Sequence, residues 1–217
     1  MRLVLALILC TACSAEKVTT GLQAVGDSMF DWNDEDSSIP AVVAANLGLP
    51  FQNNAIGGTT ITEVGFPIPE QYEAGTWDWV LVDGGGNDLN DGCECRQCDA
   101  VMEEIITADA EQGAMADFVE QIVDDGYNVA LMGYYEMPNN AEYGFDQCND
   151  ELGVLLPRYQ LLAERFERVT FIDIREVVSP QTTPQAYDED QVHPSTEGAR
   201  MIAEHIASVL RASNLRD

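Results

Sequence analysis

Five short apolar segments recur along this chain, and helix-like segments separate them. This alternation restricts the fold more than any other feature of the sequence. Strands are predicted at residues 22–25, 51–56, 79–82, 129–132 and 169–174. Helices are predicted at residues 38–47, within 99–125, at 152–166 and at 194–210. Because proline disrupts a helix interior, Pro157 favours a start of the third helix at that residue.

Strands that alternate with helices predict an α/β fold, in which a parallel sheet carries helices on both faces. Right-handed crossovers limit the strand order to a few doubly wound arrangements. A chain of 217 residues is long enough for one well-packed domain and short for two. No repeat or linker interrupts residues 16–217, so we predict that they form one domain.

The charge balance of the chain is strongly acidic. The sequence has 38 acidic against 10 basic side chains and a formal net charge of -28. Such a charge argues against nucleic acids and anionic membrane surfaces as partners. We interpret the excess of acidic residues as a solvated surface that maintains solubility, without a specific acidic function.

Residues 1–15 have the layout of a secretory signal. A basic start at Met1 and Arg2 precedes an apolar run at residues 3–9 and small residues at 11–15. The apolar run is too short to span a bilayer. Cleavage before Cys13 would leave a lipidated cysteine, whereas cleavage after Ser14 or Ala15 would release a soluble protein. Both alternatives predict export, as a periplasmic, membrane-anchored or secreted protein.

Four cysteines remain after the signal-like segment. Cys93, Cys95, Cys98 and Cys148 are an even number in a chain predicted to enter an oxidising compartment, which favours two disulfides. The alternative is a zinc site with Cys148 as its fourth ligand. The spacing lacks the paired C-x-x-C knuckles typical of such sites.

Side chains suited to catalysis follow the predicted strands. Ser28 follows the first strand, residues 53–60 with Gly58 overlap the end of the second, and Asn87 follows the third. Asp190 and His193 stand just before the last helix. Because ligand sites of open α/β sheets lie at the carboxyl ends of the strands, we expect these residues to converge.

His193 is the better placed of two histidines. His205 falls within a predicted helix, where a packed or half-exposed role is expected, whereas Pro194 fixes His193 at a helix start. A serine such as Ser28 needs a base to remove its proton, and histidine titrates in a suitable range. Asp190 then accepts the other imidazole N–H or, alternatively, only stabilises a turn.

Acyl transfer also requires hydrogen-bond donors for the developing oxyanion. Gly58 offers a main-chain N–H that no side chain shields, Asn87 offers a carboxamide, and Ser28 offers its own N–H. Glycine and asparagine are also common in ordinary turns. Together with His193, the three donors predict a site for acyl transfer.

Two other motifs lack residues that binding of a metal or a phosphate would require. The acidic run Asp31, Asp34, Glu35 and Asp36 lacks the turn glycine and closing glutamate of a calcium loop. The glycines at 84–86 follow a strand but do not open a phosphate-binding helix. We therefore predict neither a metal nor a cofactor.

The residues at the strand ends resemble the sequence blocks of the SGNH (GDSL-type) hydrolases. Residues 26–28 resemble the first block and its nucleophile, residues 53–60 the second, residues 85–88 the third, and residues 190–194 the fifth. The blocks occur in the family's order, and the resemblance spans residues 22–210. The stretch from Cys93 to Cys98 is not part of the family's pattern.

This resemblance implies a flavodoxin-like, three-layer α/β/α fold with a five-stranded parallel sheet of order 2-1-3-4-5. It also implies the quartet Ser28, Gly58, Asn87 and His193, with Asp190 completing a triad. In that order the third and fourth strands are neighbours, so the loops after them lie side by side. We therefore expect Cys148 to bridge to Cys93, Cys95 or Cys98.

The sequence thus predicts an exported serine esterase that acts on a small-molecule, lipid or carbohydrate ester through an acyl-enzyme. A carbohydrate O-acetyl esterase is the alternative within enzymes. A noncatalytic carbohydrate- or lipid-binding module is the alternative from another class. Six side chains either line an acyl groove or pack in loops: Met29, Phe30, Trp32, Tyr134, Tyr135 and Met137.

Overall fold

The computed structural model describes residues 20–62 and 66–213. Within them, five parallel strands form one sheet of order β2-β1-β3-β4-β5. The strands are β1 (Gly21–Val25), β2 (Phe51–Asn53), β3 (Trp77–Val82), β4 (Asn128–Met132) and β5 (Val169–Ile172). This order and the parallel pairing confirm the predicted flavodoxin-like sheet.

Helices form the outer layers on the two sides of the sheet. The seven α-helices in the described residues are α1 (Ser28–Asp31), α2 (Ile39–Leu47), α3 (Gly86–Cys93), α4 (Asp99–Ile105), α5 (Ala114–Asp124), α6 (Asn149–Glu164) and α7 (Thr196–Ser213). α2 packs against α7, and α4 contacts α5. α4 also contacts α6 through a 2.7 Å ion pair between Glu103 and Arg158. The three-layer arrangement predicted from the alternation of elements is confirmed.

The core lies on both faces of the central strands. Every residue of β1 is buried, and so are residues 79–82 of β3 and 129–132 of β4. These segments are almost entirely apolar because a parallel sheet is covered on both faces. The rigid sheet fixes the ends of β1 and β3, from which the candidate site is built.

Two strands end earlier than predicted. β2 ends at Asn53 rather than residue 56, yet the N–H groups of Asn54 and Ile56 still donate to the carbonyls of Ala24 and Gly26. β5 ends at Ile172 rather than residue 174, because the Asp173 side chain accepts from the N–H of Arg175 and starts a 3₁₀ turn. In both cases the chain turns at the carboxyl edge of the sheet.

Helix α6 corrects the expected start at Pro157. The helix begins at Asn149 and contains Pro157 in its interior. Pro157 and Gly153 are both exposed, so water can reach the Gly153 carbonyl that lacks its usual N–H partner. Burial of apolar side chains before and after the proline offsets its cost: Leu152, Leu155, Leu156, Tyr159 and Leu162.

Helix α7 begins at Thr196, two residues after the predicted start at Pro194. The Ser195 hydroxyl accepts a 3.1 Å hydrogen bond from the N–H of Gly198, as an N-cap does. Pro194 lies in the loop and pairs with Tyr187 in a short antiparallel bridge. His205 lies within α7 and is largely buried, 3.8 Å from the carboxylate of Glu176, as expected for a packing residue.

The cysteines pair as Cys93 with Cys98 and Cys95 with Cys148, at Cα–Cα distances of 5.4 and 4.7 Å. Both distances suit disulfides. Cys148 thus pairs with one of the three expected partners, and the sulfur atoms form two pairs rather than a four-ligand zinc site. The second pair ties the end of α3 to the segment before α6.

The signal-like residues 1–15, with Cys13, lie outside the described residues. Among residues 20–62 and 66–213, no helix combines the length and apolarity needed to cross a bilayer.

Candidate active site

Ser28 stands at a turn between β1 and α1 that requires glycine at position 26. A Cβ on Gly26 would lie 1.6 Å from Oδ1 of Asp83, so no other residue fits without movement. The N–H of Gly26 donates to Oε1 of Gln71 at 2.7 Å, and its carbonyl accepts from Nε2 of the same side chain at 3.0 Å. This turn brings Ser28 to the carboxyl edge of the sheet, as predicted.

Asp27 fixes the turn through both of its carboxylate oxygens. Oδ1 accepts from the N–H of Met29 at 2.9 Å, which caps α1. Oδ2 accepts from the hydroxyl of Tyr134 at 2.7 Å, and the main-chain N–H of Asp27 donates to Asp83 at 2.8 Å. Ser28 is therefore the first residue of a short helix whose N-terminus is fixed by these hydrogen bonds of Asp27.

Two carboxyl groups lie buried under this turn. Burial raises the pKa of Asp27, although the hydrogen bonds from Met29 and Tyr134 oppose the shift. Burial, followed by the nearby charge of Asp27, raises the pKa of Asp83 well above its usual range. The side-chain atom Oδ2 of Asp83 is buried without a hydrogen-bond partner in the structure. The pair therefore resists ionisation.

Ser28, His193 and Asp190 form one line of hydrogen bonds. The Ser28 hydroxyl lies 2.8 Å from Nε2 of His193, and Nδ1 of His193 lies 2.5 Å from Oδ2 of Asp190. Because a carboxylate only accepts, Nδ1 carries the proton and Nε2 accepts from the serine. The structure thus brings together the three residues predicted from the sequence.

Asp190 is held by the loop that carries His193. Its Oδ1 accepts from the N–H groups of Val192 and His193 at 2.9 and 3.0 Å. Burial raises the pKa of Asp190, but these hydrogen bonds and the one from the imidazole outweigh it and leave the pKa below its usual value. Asp190 therefore remains ionised beside His193.

Gly58 lies on an exposed turn next to Ser28. A Cβ on the preceding Gly57 would lie 3.6 Å from Cβ of Ser28, and the N–H of Gly57 donates to Oδ2 of Asp31 at 2.8 Å. Gly58 itself has a φ of +79°, which favours glycine. The turn therefore lies within reach of a group bound at the serine.

Asn87 and Asp88, at the start of α3, hold this turn in place. Asn87 donates from its carboxamide to the carbonyl of Thr59 at 2.9 Å. Asp88 accepts from the N–H groups of Ile61 and Thr62, both at 3.0 Å, and from the Thr62 hydroxyl at 2.6 Å. Burial raises the pKa of Asp88, although these hydrogen bonds act to lower it. No role was predicted for Asp88 from the sequence, and the signal that could have indicated one is its position beside Asn87.

Most of the apolar side chains considered for an acyl groove belong to the core. Five of the six are buried: Met29, Phe30, Tyr134, Tyr135 and Met137. The sixth, Trp32, is half-buried and stacks on the ring of His193. Burial favours the packing alternative for these five.

The GDSL-like Lipase/Acylhydrolase family matches residues 24–201, which include Ser28, Asn87 and His193. The chain belongs to this family. The predicted SGNH/GDSL-type resemblance is confirmed, and the chain is an ester-hydrolysing enzyme. A comparison with curated protein sequences finds no match to this GDSL-like hydrolase.

Solved structures share the fold of this GDSL-like hydrolase at low sequence identity. The aryl esterase of M. smegmatis is 17% identical, with a TM-score of 0.65 over 89% of this chain and 99% of that one. An acetylxylan esterase from Geobacillus stearothermophilus is 19% identical, with a TM-score of 0.65 over 89% and 94%. A family 3 carbohydrate esterase from Clostridium thermocellum is 19% identical, with a TM-score of 0.61 over 89% and 98%.

Proposed function

We propose that the protein is an exported serine esterase that hydrolyses carboxylic esters through an acyl-enzyme. Ser28 is the nucleophile, His193 the general base and acid, and Asp190 the residue that orients the imidazole. The observation that carries the proposal is the line of contacts from Asp190 through His193 to Ser28, at 2.5 and 2.8 Å. No step requires a metal or cofactor.

The reaction begins when the Ser28 oxygen attacks the ester carbonyl carbon while Nε2 of His193 takes the hydroxyl proton. Asp190, ionised and hydrogen-bonded to Nδ1, stabilises the imidazolium. The tetrahedral intermediate collapses as the imidazolium returns the proton to the leaving alcohol, which leaves an acyl group on Ser28. Water then attacks that group, with His193 again accepting and returning a proton.

Three donors would hold the oxyanion of the intermediate: the N–H groups of Ser28 and Gly58, and the carboxamide of Asn87. The carboxamide has two N–H bonds, and its contact with Thr59 fixes the side chain through one of them. Asp88 anchors the next residues of the same loop. A preorganised loop costs little reorganisation when the charge develops, which supports these assignments.

A carbohydrate O-acetyl esterase is the second candidate, favoured by a polar cavity of about 550 Å³ beside the site. Its lining includes Asp31, the last residue of the helix that starts at Ser28, and Asp31 accepts from the N–H of Gly57. Carboxylates and carboxamides with one exposed aromatic ring suit the hydroxyl groups and faces of a sugar. The cavity is lined by Asp31, Asn33, Glu35, Phe51, Gln52 and Asn53, among others. One structural neighbour is named as a family 3 carbohydrate esterase and another as an acetylxylan esterase.

Three measurements test these proposals. A phosphonate that reacts with activated serines is expected to label Ser28, as read by peptide mass spectrometry, and not the Ser28→Ala protein. Absence of labelling together with retention of a sugar or lipid would favour the binding module. A panel of nitrophenyl esters of increasing acyl length, run beside acetylated xylo-oligosaccharides, identifies the substrate. Glu35→Gln is expected to lower kcat/KM for acetylated sugars only if the cavity binds them.

Export remains part of the proposal and rests on residues 1–15. A chain with two disulfides is also typical of an oxidising compartment, which supports the same assignment. We propose that the mature enzyme is either anchored through a lipidated Cys13 or released in soluble form. Residues 16–217 form the catalytic domain in both cases.

A further inference from the structure

The indole of Trp32 covers one face of the His193 ring. The two ring centroids lie 3.8 Å apart, and the planes differ by 9°. Trp32 directly follows α1, and its main-chain N–H donates to the carbonyl of Ser28 at 2.9 Å. The same short helix therefore carries the proposed nucleophile at its start and, just past its end, the ring that contacts the proposed base.

The indole is itself held in place by the loop that carries His193. Its Nε1–H donates to Oδ2 of Asp188 at 2.7 Å. The main-chain N–H of Asp188 donates in turn to the carbonyl of His193 at 2.8 Å. Each of these three residues thus contacts the other two: Trp32, Asp188 and His193. Their contacts link α1 to the loop that carries His193, independently of the hydrogen bonds between Ser28, His193 and Asp190.

The stack restricts a motion that the two imidazole hydrogen bonds leave open. Nδ1 contacts Asp190 and Nε2 contacts Ser28, and an imidazole nitrogen directs its N–H or lone pair in the ring plane. A ring held only at two in-plane atoms can tilt about the line that joins them. A parallel indole at 3.8 Å opposes that tilt, because tilting would force one ring edge into it.

We propose that Trp32 is a positioning residue for His193, locked by Asp188, and that its stacked face stabilises the imidazolium formed during proton transfer. This inference rests on the proposed function. A cation held over an aromatic face is stabilised, most strongly over tryptophan. The benefit appears only when His193 is charged, so it lowers the barrier and leaves substrate binding unchanged.

Replacement of Trp32 tests the proposal. Trp32→Leu removes the aromatic face and is expected to lower kcat about 3- to 30-fold with KM nearly unchanged. Trp32→Phe keeps an aromatic face, loses the bond to Asp188, and is expected to recover most of the lost kcat. Trp77→Leu is the matched control, because β3 begins at Trp77, at the opposite end of the sheet.

Proton NMR provides a readout that a purely structural role would not move. The chain has two histidines, so only two imidazole Cε1–H resonances occur. A proton above an indole face is shifted upfield, and we expect one of the two to show this shift. Trp32→Leu should abolish the shift, Trp32→Phe should keep part of it, and Trp77→Leu should leave it intact.

The outcomes are distinct. A parent without the upfield resonance, or a Trp32→Leu protein that loses the resonance and keeps full kcat, would overturn the positioning role. If Trp32→Leu does not fold, Trp32→Phe decides: a loss in kcat above 30-fold, or a rise in KM alone, contradicts the proposal. Failure of the proposed function would appear instead as equal ester hydrolysis by the parent and Ser28→Ala.

Discussion

The main-chain N–H of Asp27 donates a 2.8 Å hydrogen bond to a carboxyl oxygen of Asp83, and both carboxyl groups are buried beneath Ser28. Burial raises the pKa of each in the folded protein. The folded state therefore keeps protons that the unfolded chain releases above about pH 4. By linkage, the free energy of unfolding falls as pH rises from about 4 through the folded-state pKa values.

Asp83→Asn is expected to weaken this pH dependence. The amide oxygen still accepts from the N–H of Asp27, while one of the two titrating groups is lost. The free energy of unfolding should fall less between about pH 4.5 and 7.5 than in the parent, by about 1.4 kcal/mol for each unit of pKa shift removed. Urea denaturation at the two pH values measures it. The control is Asp117→Asn, an exposed carboxylate on α5, and equal pH dependence in parent and Asp83→Asn would contradict the argument.

Asn87→Ala is expected to reduce kcat by on the order of 10²–10³ and to change KM little. The substitution removes a donor that acts mainly in the transition state. It also removes the 2.9 Å contact with Thr59, so the position of the loop at residues 57–62 needs its own control. Thr62→Val removes the hydroxyl contact between the loop and Asp88 and leaves Asn87 in place. A loss in Thr62→Val as large as that in Asn87→Ala would assign the effect to loop anchoring.

The sheet and the catalytic candidates could be predicted from the sequence because their signals are local. Apolar runs such as residues 79–82 identify strands. Ser28 and His193 can be identified because acyl transfer needs a nucleophile and a base of these residue types. Helix α3 was not predicted, because Gly86, Asn87 and Gly92 are poor helix formers. Its place depends on long-range contacts, including that of the Cys95–Cys148 pair.

The contacts that support the site are nonlocal, and the sequence therefore did not reveal them. Trp32 and His193 stack although they are far apart in sequence, and no spacing rule connects them. Asp83 likewise contacts the turn at Gly26 only because β1 and β3 are neighbours in the sheet. The family resemblance supplied the quartet and the triad, but not the residues that orient them.

The Cys95–Cys148 pair is expected to contribute more stability than the Cys93–Cys98 pair. Their sequence separations are 53 and 5, and the chain-entropy model gives roughly 4 and roughly 2 kcal/mol for such loops. Urea denaturation of the double variants Cys95→Ala/Cys148→Ala and Cys93→Ala/Cys98→Ala compares them. Nonreducing peptide mapping provides the connectivity, and four free thiols or bound zinc would exclude both disulfides.

Cys13→Ser distinguishes the two proposed routes of export. If Cys13 carries lipid, the parent should fractionate with membranes and the variant should appear in the soluble fraction. Cys10→Ser is the matched control, because Cys10 lies in the same segment but is not the proposed acceptor. Soluble behaviour of both the parent and the variant would favour ordinary signal cleavage after Ser14 or Ala15.

Asp190→Asn is expected to place the imidazole proton on the wrong nitrogen. Oδ1 of Asp190 accepts from the N–H groups of Val192 and His193, so the amide oxygen of an asparagine must occupy that position. The NH₂ group then faces Nδ1, which must accept, and the ring proton moves to Nε2.

In that tautomer His193 cannot accept the proton of Ser28, although the ring keeps its place. We expect kcat to fall by about 10⁴ at neutral pH with the fold intact, as wrong-tautomer substitution does in serine hydrolases. Steady-state kinetics on a short acyl ester measures the loss, and ¹⁵N NMR of the imidazole reports which nitrogen carries the proton. Asp117→Asn is the matched control, because it makes the same exchange of carboxylate for carboxamide at an exposed position on α5. If Asp190→Asn retained kcat within tenfold of the parent, Asp190 would not be the residue that orients the base.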